Sequence, residues 1–495
     1  MQTLRTPHEA ARWLTGRVRG QLHCDSRKVG TGDGFIAWPG AATDGRRHVG
    51  AALAGGAAAC LVEAEGVDAF DFGASAEANL AAYPGLKAAT GPIAAAYYEQ
   101  PSERIDVLAV TGTNGKTSTA WWLAQALSAA RADGCGVIGT LGIGRPPQVA
   151  YTGLTTPDPV LLQAQLRRFA DEGLSACAIE ASSIGIVQRR LDGTRIAVAV
   201  FTNFSQDHLD YHGTMDAYWA AKAALFAWPG LRAAVLNVDD EKGEGLAQSL
   251  AGQGLDLWTL SCHRDDARLR ALDIRHDEAG LRFTVAEGTQ REALQTGLIG
   301  HYNVHNLLGV ISAMRALGVP LSEAVRACGG LAPVPGRMER LHRAGHPLVA
   351  VDYAHTPDAL DQALTALRPL AQQRGGRLWC VFGCGGDRDA TKRPLMAAIA
   401  EKHADQVVVT SDNPRSEKPQ NIISQILLGL SRRDAVQVEA DRARAIEATV
   451  RAAAPADVIL LAGKGHEDHQ EIDGVRTRFD DRVHARAALD KRVAA

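Results

Sequence analysis

Lys116 and Thr117 stand directly behind two glycines in Ile105-Asp-Val-Leu-Ala-Val-Thr-Gly-Thr-Asn-Gly-Lys-Thr-Ser-Thr119. An apolar run that breaks at Gly112, turns through Gly115 and re-enters a helix over Ser118–Ala130 makes an anion site. Its backbone N–H groups face inward, the helix dipole favours negative charge, and the glycines let phosphate oxygens approach. In such a loop the lysine reaches the β/γ-phosphates and the threonine hydroxyl holds Mg²⁺. Val110 stands where the generic P-loop has its first glycine, so an ordinary βα turn is the alternative. We read the stretch as a nucleotide site.

Further polar groups follow other apolar runs. Ser175-Ala-Cys-Ala-Ile-Glu180 ends in a carboxylate, and Ile196–Thr202 leads into Asn203-Phe-Ser-Gln-Asp-His208-Leu-Asp-Tyr-His212. Ala233–Val238 ends at Asp239-Asp240. Ligands of open α/β sheets bind beyond the carboxyl ends of strands, which makes Glu180 and His208 candidate Mg²⁺ ligands beside Thr117; hydrogen-bonded surface residues are the alternative. Lys222 lies in an expected helix, Met215–Trp228, where a lone lysine is normally solvated. Asn303 and Asn306 open an apolar helix, as nucleotide contacts or as caps. Near the C-terminus, strand ends carry Asp352-Tyr-Ala-His355, Arg388, Asn413 with Arg415, and Glu467. Arginine forks bind carboxylates or phosphates bidentately and a glutamate binds an ammonium, so this set, with both signs, suits an amino acid; a surface ion-pair cluster is the alternative.

The elements that must position these groups read as alternating strands and helices, the pattern of parallel sheets flanked by helices. The 495 residues suggest about three domains of ~150 residues. We expect an α/β protein with a smaller N-terminal α/β domain (1–100), a central P-loop parallel-sheet ATPase domain (101–333) and a C-terminal Rossmann-like domain (334–495). Pro92 and Pro101 suggest a linker before the central strand, and Pro333-Val-Pro-Gly-Arg-Met-Glu-Arg340 a hinge. Net charge is −3 without a basic block, which argues against nucleic-acid or membrane-surface partners. The eight scattered cysteines form no CxxC pair, the N-terminus has no signal-peptide core, and no apolar run nears the ~18–20 residues of a membrane span. The expectation is a cytoplasmic monomer.

Thr111-Gly-Thr-Asn-Gly-Lys-Thr-Ser118, Glu180-Ala-Ser-Ser183, Asp207-His-Leu-Asp-Tyr-His212, Tyr302-Asn303 and Pro335-Gly-Arg337 resemble the Mur ligases, with a likeness running from Asp25-Ser-Arg to His484. Asp412-Asn-Pro-Arg415 resembles the signature of members that add meso-diaminopimelate rather than L-lysine. The resemblance implies an ATP- and Mg²⁺-dependent amide ligase of peptidoglycan precursor synthesis. Its substrates would be UDP-N-acetylmuramoyl-L-alanyl-D-glutamate and meso-diaminopimelate, joined through an acylphosphate. It implies that Ser26, Ala41, Ala42 and Thr43 hold the UDP part, and that Thr155, Thr156, Ser182, Gln188 and Arg190 hold the muramoyl-dipeptide. ATP would meet Gly112, Thr113, Asn114, Gly115, Lys116, Thr117, Ser118, Asn303, Arg337 and Asp352. Diaminopimelate would meet Arg388, Asp412, Asn413, Pro414, Arg415, Gly463 and Glu467. Lys116, Glu180, His208, Lys222 and Arg337 would be catalytic, with Lys222 carbamylated so that its carboxylate joins Thr117, Glu180 and His208 around metal. His355 is a conceivable base, as is substrate phosphate. One departure is Ile184, where the family pattern has a histidine. The rival readings are an L-lysine-adding or folylpolyglutamate-type ligase and a non-catalytic nucleotide-binding protein.

Overall fold

The computed structural model describes residues 1–40, 43–73, 78–277 and 280–492. Three main sheets follow one another along the chain. In the first, β1 (Gln2–Thr3), β2 (Leu22–His23), β3 (Gly34–Ala37), β4 (Ala59–Glu63) and β5 (Leu80–Tyr83) pair in parallel in the order β1-β5-β4-β3-β2. Pro92 does not mark a linker. It stands inside the helix Leu86–Tyr97, whose Leu86, Ile93 and Ala94 are wholly buried in the first core. That burial offsets the ~3 kcal/mol that an interior proline costs a helix.

The second sheet is built around β6 (Asp106–Thr111). Its Leu108 and Val110 enter the core beneath the helix Lys116–Ala130, and Val107 and Ala109 enter the core on the opposite face. Alternate side chains leave a strand on opposite faces, so a strand covered on both sides reads as a continuous apolar run. The sheet continues with β7 (Cys135–Gly139), β8 (Gly142–Arg145), β9 (Gln148–Ala150), β10 (Ala176–Glu180), β11 (Val198–Phe201), β12 (Ala233–Asn237), β13 (Asp256–Ser261), β14 (Leu269–Asp277), β15 (Gly280–Glu287) and β16 (Gln290–Thr296). Its order is β16-β15-β14-β13-β12-β11-β6-β10-β7-β8-β9. The expected parallel pairing holds from β14 through to β7, but both edges are antiparallel and the sheet is mixed. The turns joining β7 to β8 and β15 to β16 are too short for a crossover, and a tight turn can only reverse the chain.

The third sheet holds β17 (Glu339–Leu341), β18 (Leu348–Asp352), β19 (Leu378–Phe382), β20 (Gln406–Val409), β21 (Gln437–Val438) and β22 (Val458–Ala462) in the order β17-β18-β22-β19-β20-β21. Only β17 runs antiparallel to its neighbour. A hairpin, β23 (His469–Ile472) and β24 (Val475–Arg478), follows β22. Leu378, Cys380 and Phe382 pack on one face of the sheet and Trp379 and Val381 on the other, the same two-sided burial as β6. Among the described residues no helix is long and apolar enough to cross a membrane.

Candidate active site

The loop after β6 is shaped by contacts that only glycine permits. Gly112 has φ +142, and an added Cβ would lie 1.9 Å from Thr202 Oγ1. Gly115 has φ +83, and its Cβ would meet Asn306 Oδ1 at 2.4 Å. Both angles belong to a region that L side chains avoid. The left-handed Gly115 turns the chain so that the helix begins at Lys116, one residue pair earlier than the expected Ser118. The strand next door pins the loop: Thr113 N–H donates to Asn203 O at 2.8 Å and Asn114 N–H to Asn203 Oδ1 at 2.9 Å. Lys116 Nζ donates to Gly112 O at 2.8 Å and Thr113 O at 2.7 Å. Burial lowers the Lys116 ammonium from its ordinary value, opposed by the charges of Glu180 and Asp207.

Thr117 and Glu180 are in direct contact, Thr117 Oγ1 donating to Glu180 Oε2 at 2.9 Å. Glu180 also accepts from Thr140 N–H at 2.7 Å and Thr140 Oγ1 at 3.2 Å, so its carboxylate is held from β7 as well. His208 lies beyond β11 in a left-handed conformation (φ 53) and lines the same cavity as Thr117, Glu180 and Lys222. Burial is the main influence on the ring and lowers it to about 4, against the pull of Asp207. Burial alone would raise Asp207, but His355, His208 and Lys392 together outweigh it and hold the carboxyl well below its usual range.

Lys222 is not solvated as its place in a helix suggested. The α-helix covers Met215–Ala223 and tightens to a 3₁₀ turn through Ala227, short of the expected Trp228. Lys222 is 1% exposed, donates to Gly112 O at 2.6 Å, and stands 4.3 Å from the centre of the Tyr218 ring. Burial, reinforced by Lys116, pushes its amine well below the ordinary lysine value.

The third sheet closes over this loop. Arg337 Nη2 donates to Thr117 Oγ1 at 3.0 Å while its guanidinium lies 4.3 Å over the Tyr353 ring. Asp352, at the end of β18, accepts from Met338 N–H at 2.7 Å. Asn114 Nδ2 donates to Asp358 at 2.7 Å, and His355 Nε2 stands 3.8 Å from Asp207. Asn303 and Asn306 are not caps: Asn303 Nδ2 donates back to Ile299 O at 2.7 Å and Asn306 Nδ2 to Asn303 Oδ1 at 3.0 Å. A cavity of about 1140 Å³ runs from the loop to the far strand ends.

At that far end Asn413 is the hub. Its Nδ2 donates to Glu467 Oε2 at 2.8 Å, and its Oδ1 accepts from Lys464 Nζ at 3.0 Å and Glu471 N–H at 3.0 Å. Lys464, wholly buried, also reaches Glu467 at 3.1 Å and lies 3.9 Å from Asp412. Arg415 is left-handed (φ 53) and spends one nitrogen on Gly386 O at 2.7 Å. Arg388 contacts only Asp387 O among the described hydrogen bonds, and both guanidinia line the cavity. Asp412, Pro414 and Gly463 shape the site from behind; a Cβ on Gly463 would sit 2.3 Å from Asp412 Oδ2.

Thr155, Thr156, Ser182 and Arg190 line the cavity with Ile184. Thr156 Oγ1 donates to Glu180 O at 2.7 Å, Arg190 Nη1 donates to Thr156 O at 2.7 Å, and Gln188 Oε1 accepts from Arg190 at 2.6 Å from behind. Ile184 follows Ser183, whose Oγ stands 3.0 Å from His212 Nε2. Ser26 and Thr43 do not join the cavity; they sit on the first sheet's loops, and Ala41 and Ala42 lie outside the described residues. Lys464, between the expected Gly463 and Glu467, carries no signal of its own in the sequence, and neither do Thr140, Tyr353 and the buried pair Arg442–Asp481. Arg442 donates to both oxygens of Asp481, and also to Ser411 O at 3.2 Å, which fixes the strand end before Asp412.

A phosphate-type loop on one α/β sheet, capped by an arginine and facing across one cleft a second sheet whose strand ends carry both signs of charge, defines a class: α/β proteins with a phosphate-type loop in a cleft between two sheets. The family model described as the Mur ligase middle domain matches residues 110–314, and that of the Mur ligase glutamate ligase domain matches residues 336–465. The chain is 62% identical, over 99% of both chains, to an Acidovorax UDP-N-acetylmuramoyl-L-alanyl-D-glutamate–2,6-diaminopimelate ligase. A solved ligase of the same description shares 37% identity with a TM-score of 0.65, covering 95% of this chain and 94% of that one. MurF from Acinetobacter baumannii, 18% identical with a TM-score of 0.68 over 92% of this chain and 95% of its own, shares the fold. The chain belongs to the Mur ligase family.

Proposed function

We propose that this protein joins meso-diaminopimelate to UDP-N-acetylmuramoyl-L-alanyl-D-glutamate with cleavage of ATP to ADP and phosphate. The observation that carries the reading is the single cleft with a phosphate loop at one end and the Asn413–Glu467–Arg415 cluster at the other.

The D-glutamate γ-carboxylate attacks the γ-phosphorus of ATP, the bond to ADP breaks, and an acylphosphate forms. Lys116 and Arg337 offset the charge that spreads over the phosphoryl oxygens, and the loop N–H groups orient them. The oxygen donors of Thr117, Glu180 and a carbamylated Lys222 suit Mg²⁺, with the imidazole of His208 the least matched member. Bound there, Mg²⁺ would polarise phosphate oxygens. Burial and the neighbouring Lys116 charge disfavour the protonated form of Lys222, and the neutral amine is the form that adds to carbon dioxide. The diaminopimelate amine then attacks the acyl carbon, and phosphate leaves from the tetrahedral intermediate. Two acceptors for the ammonium proton remain: His355, whose Nδ1 lies 2.8 Å from Tyr353 O, or the departing phosphate. Glu467 and Asn413 receive one ammonium of diaminopimelate and Arg388 and Arg415 its carboxylates. Thr155, Thr156, Ser182, Gln188 and Arg190 hold the dipeptide, and Ser26 with residues 41–43 the UDP. Closure of the third sheet over Thr117 excludes water from the acylphosphate.

The reading includes three domains, 1–100, 101–333 and 334–495, each around its own sheet, and a cytoplasmic monomer. Eight free cysteines, most of them buried, accord with a reducing compartment. The test is phosphate release with ATP, Mg²⁺ and UDP-MurNAc-L-Ala-D-Glu, comparing meso-diaminopimelate with L-lysine. Release with diaminopimelate alone, lost in Lys116→Ala, is expected. Equal release with lysine would overturn the specificity, and release independent of any amino acid would overturn the ligase reading.

A further inference from the structure

Cys262, His301 and His305 come together at one end of the cavity. One potential ligand atom from each lies within 4.8 Å of the other two. They arrive from separate elements: Cys262 directly follows β13, while His301 and His305 open the helix Tyr302–Ala316 one turn apart and so share a face. Two more imidazoles surround them. The His263 ring centre stands 6.1 Å from that of His301 and 6.4 Å from that of His305, and His276, on β14, stands 6.0 Å from His301.

Asp239, just beyond β12, ties the cluster together from behind. It accepts from Cys262 N–H at 2.7 Å, pairs with His305 Nε2 at 2.8 Å, and takes a short hydrogen bond from Ser261 Oγ. A carboxylate on one nitrogen of an imidazole fixes the tautomer and turns the lone pair of the other nitrogen outward, which is how metal-ligating histidines are usually held. None of the phosphate or amino-acid chemistry proposed above uses these side chains.

We propose that Cys262, His301 and His305 form a binding site for a divalent transition-metal ion of the zinc type, with Asp239 orienting His305. A thiolate with two imidazoles is a borderline-soft set that prefers Zn²⁺ or Co²⁺ to Mg²⁺ or Ca²⁺. Zinc bonds of about 2.0–2.3 Å put tetrahedral ligands roughly 3.5 Å apart, so the three groups close by about 1 Å, within the reach of half-buried side chains. As the sulfur–metal bond forms, the thiol proton leaves to solvent. Three protein ligands leave a fourth position, and because His263, His301, His305 and Asp239 line the cavity, that position opens onto it.

The test is Co²⁺ titration of the full-length protein after EDTA treatment and dialysis. One equivalent should give the visible bands of tetrahedral cobalt and a near-ultraviolet thiolate charge-transfer band, both removed by Zn²⁺. Cys262→Ser should abolish the charge-transfer band, and His301→Gln or His305→Gln should weaken Zn²⁺ binding at least tenfold, whereas His208→Asn, at the other metal site, should leave the spectrum unchanged. A spectrum without the band, or a band that survives Cys262→Ser, overturns the site. Since a substitution at the end of β13 can disturb folding, the unaltered chain provides a second reading: stoichiometric Zn²⁺ should protect Cys262 from iodoacetamide, located by peptide mass. Equal alkylation with and without Zn²⁺ overturns the site as well.

Discussion

Replacing Lys464 with methionine removes the wholly buried cation behind the cluster proposed to take the amino acid. The side chain is wholly buried, donates to Asn413 Oδ1 at 3.0 Å and Glu467 Oε2 at 3.1 Å, and stands 3.9 Å from Asp412. Methionine fills a similar volume but leaves Asp412 and Glu467 without the cation they share. Removing one partner of a buried pair costs about 3–5 kcal/mol, more than the pair was worth, because a charge is left uncompensated. Local opening of β20 and β22 should then speed amide exchange there by roughly two to three orders of magnitude, at 1.4 kcal/mol per tenfold. Glu467 and Asn413 also lose their fixed orientation. A hydrogen bond to a charged group contributes about 1.5–3 kcal/mol, so the KM for diaminopimelate should rise by about 10- to 100-fold. Steady-state phosphate release, varying diaminopimelate and ATP separately, and hydrogen exchange of β6 against β20 and β22 give the two readings. Glu467→Gln, which keeps the shape and leaves Lys464 with Asn413 and Asp412, should raise the same KM with much less local opening. A Lys464→Met protein that exchanges slowly at β20 and binds diaminopimelate normally would refute the reasoning.

Other perturbations act on other parts of the cleft. Gly115→Ala forces a side chain onto a φ of +83 and against Asn306 Oδ1, so ADP affinity by calorimetry should fall at least about tenfold with far-ultraviolet circular dichroism unchanged. Arg415→Lys keeps the charge and loses the fork; the preference for meso-diaminopimelate over L-lysine should narrow by about 10- to 100-fold, measured as a kcat/KM ratio. His208→Asn retains a residue that tolerates the left-handed backbone and removes a titrating ring. Native His208 binds its proton only near pH 4, whereas the unfolded ring binds it near 6.5, so this ring makes stability fall as pH drops from about 6.5 to about 4. The slope is below about 1.4 kcal/mol per pH unit because the ring is 38% exposed, and urea unfolding should show it in the parent and not in the variant. With ¹³C-bicarbonate, a carbamate carbon signal should be seen in the parent and be absent in Lys222→Arg.

Much of the fold was legible because its strands are covered on both faces. A run such as Val107–Val110 or Leu378–Phe382 names its own environment, since only a two-sided core accepts consecutive apolar side chains. The glycine-lysine turn was legible for a similar reason: its chemistry is local in sequence. The antiparallel edges were harder to read, because hairpin strands at a sheet margin bury one face only and their register is set by short turns. Thr140 and Arg442 were missed because each acts on a partner far along the chain, and Lys464 because its contact with Asn413, unlike that with nearby Glu467, spans 51 residues. Nothing near a lone lysine in sequence tells whether it will be solvated. Lys222 shows the same limit, since helical position argued for exposure and the fold buries it against Gly112.

That burial explains why Lys222, rather than Lys116, is the lysine suited to change its charge. Both ammonium groups donate to the same carbonyl, Gly112 O, at 2.6 and 2.8 Å. Two like charges converging on one acceptor favour the loss of one of them. Lys116 has Glu180 and Asp207 to support its charge and a second carbonyl, Thr113 O, to receive its protons. Lys222 is opposed by burial and by Lys116, with only Asp207 in its favour. The proton therefore leaves Lys222 first. A carbamate formed there replaces a repulsive neighbour of Lys116 with an attractive one and adds oxygen donors beside Thr117 and Glu180, so the electrostatics of the loop itself favours the modification that the proposed chemistry needs.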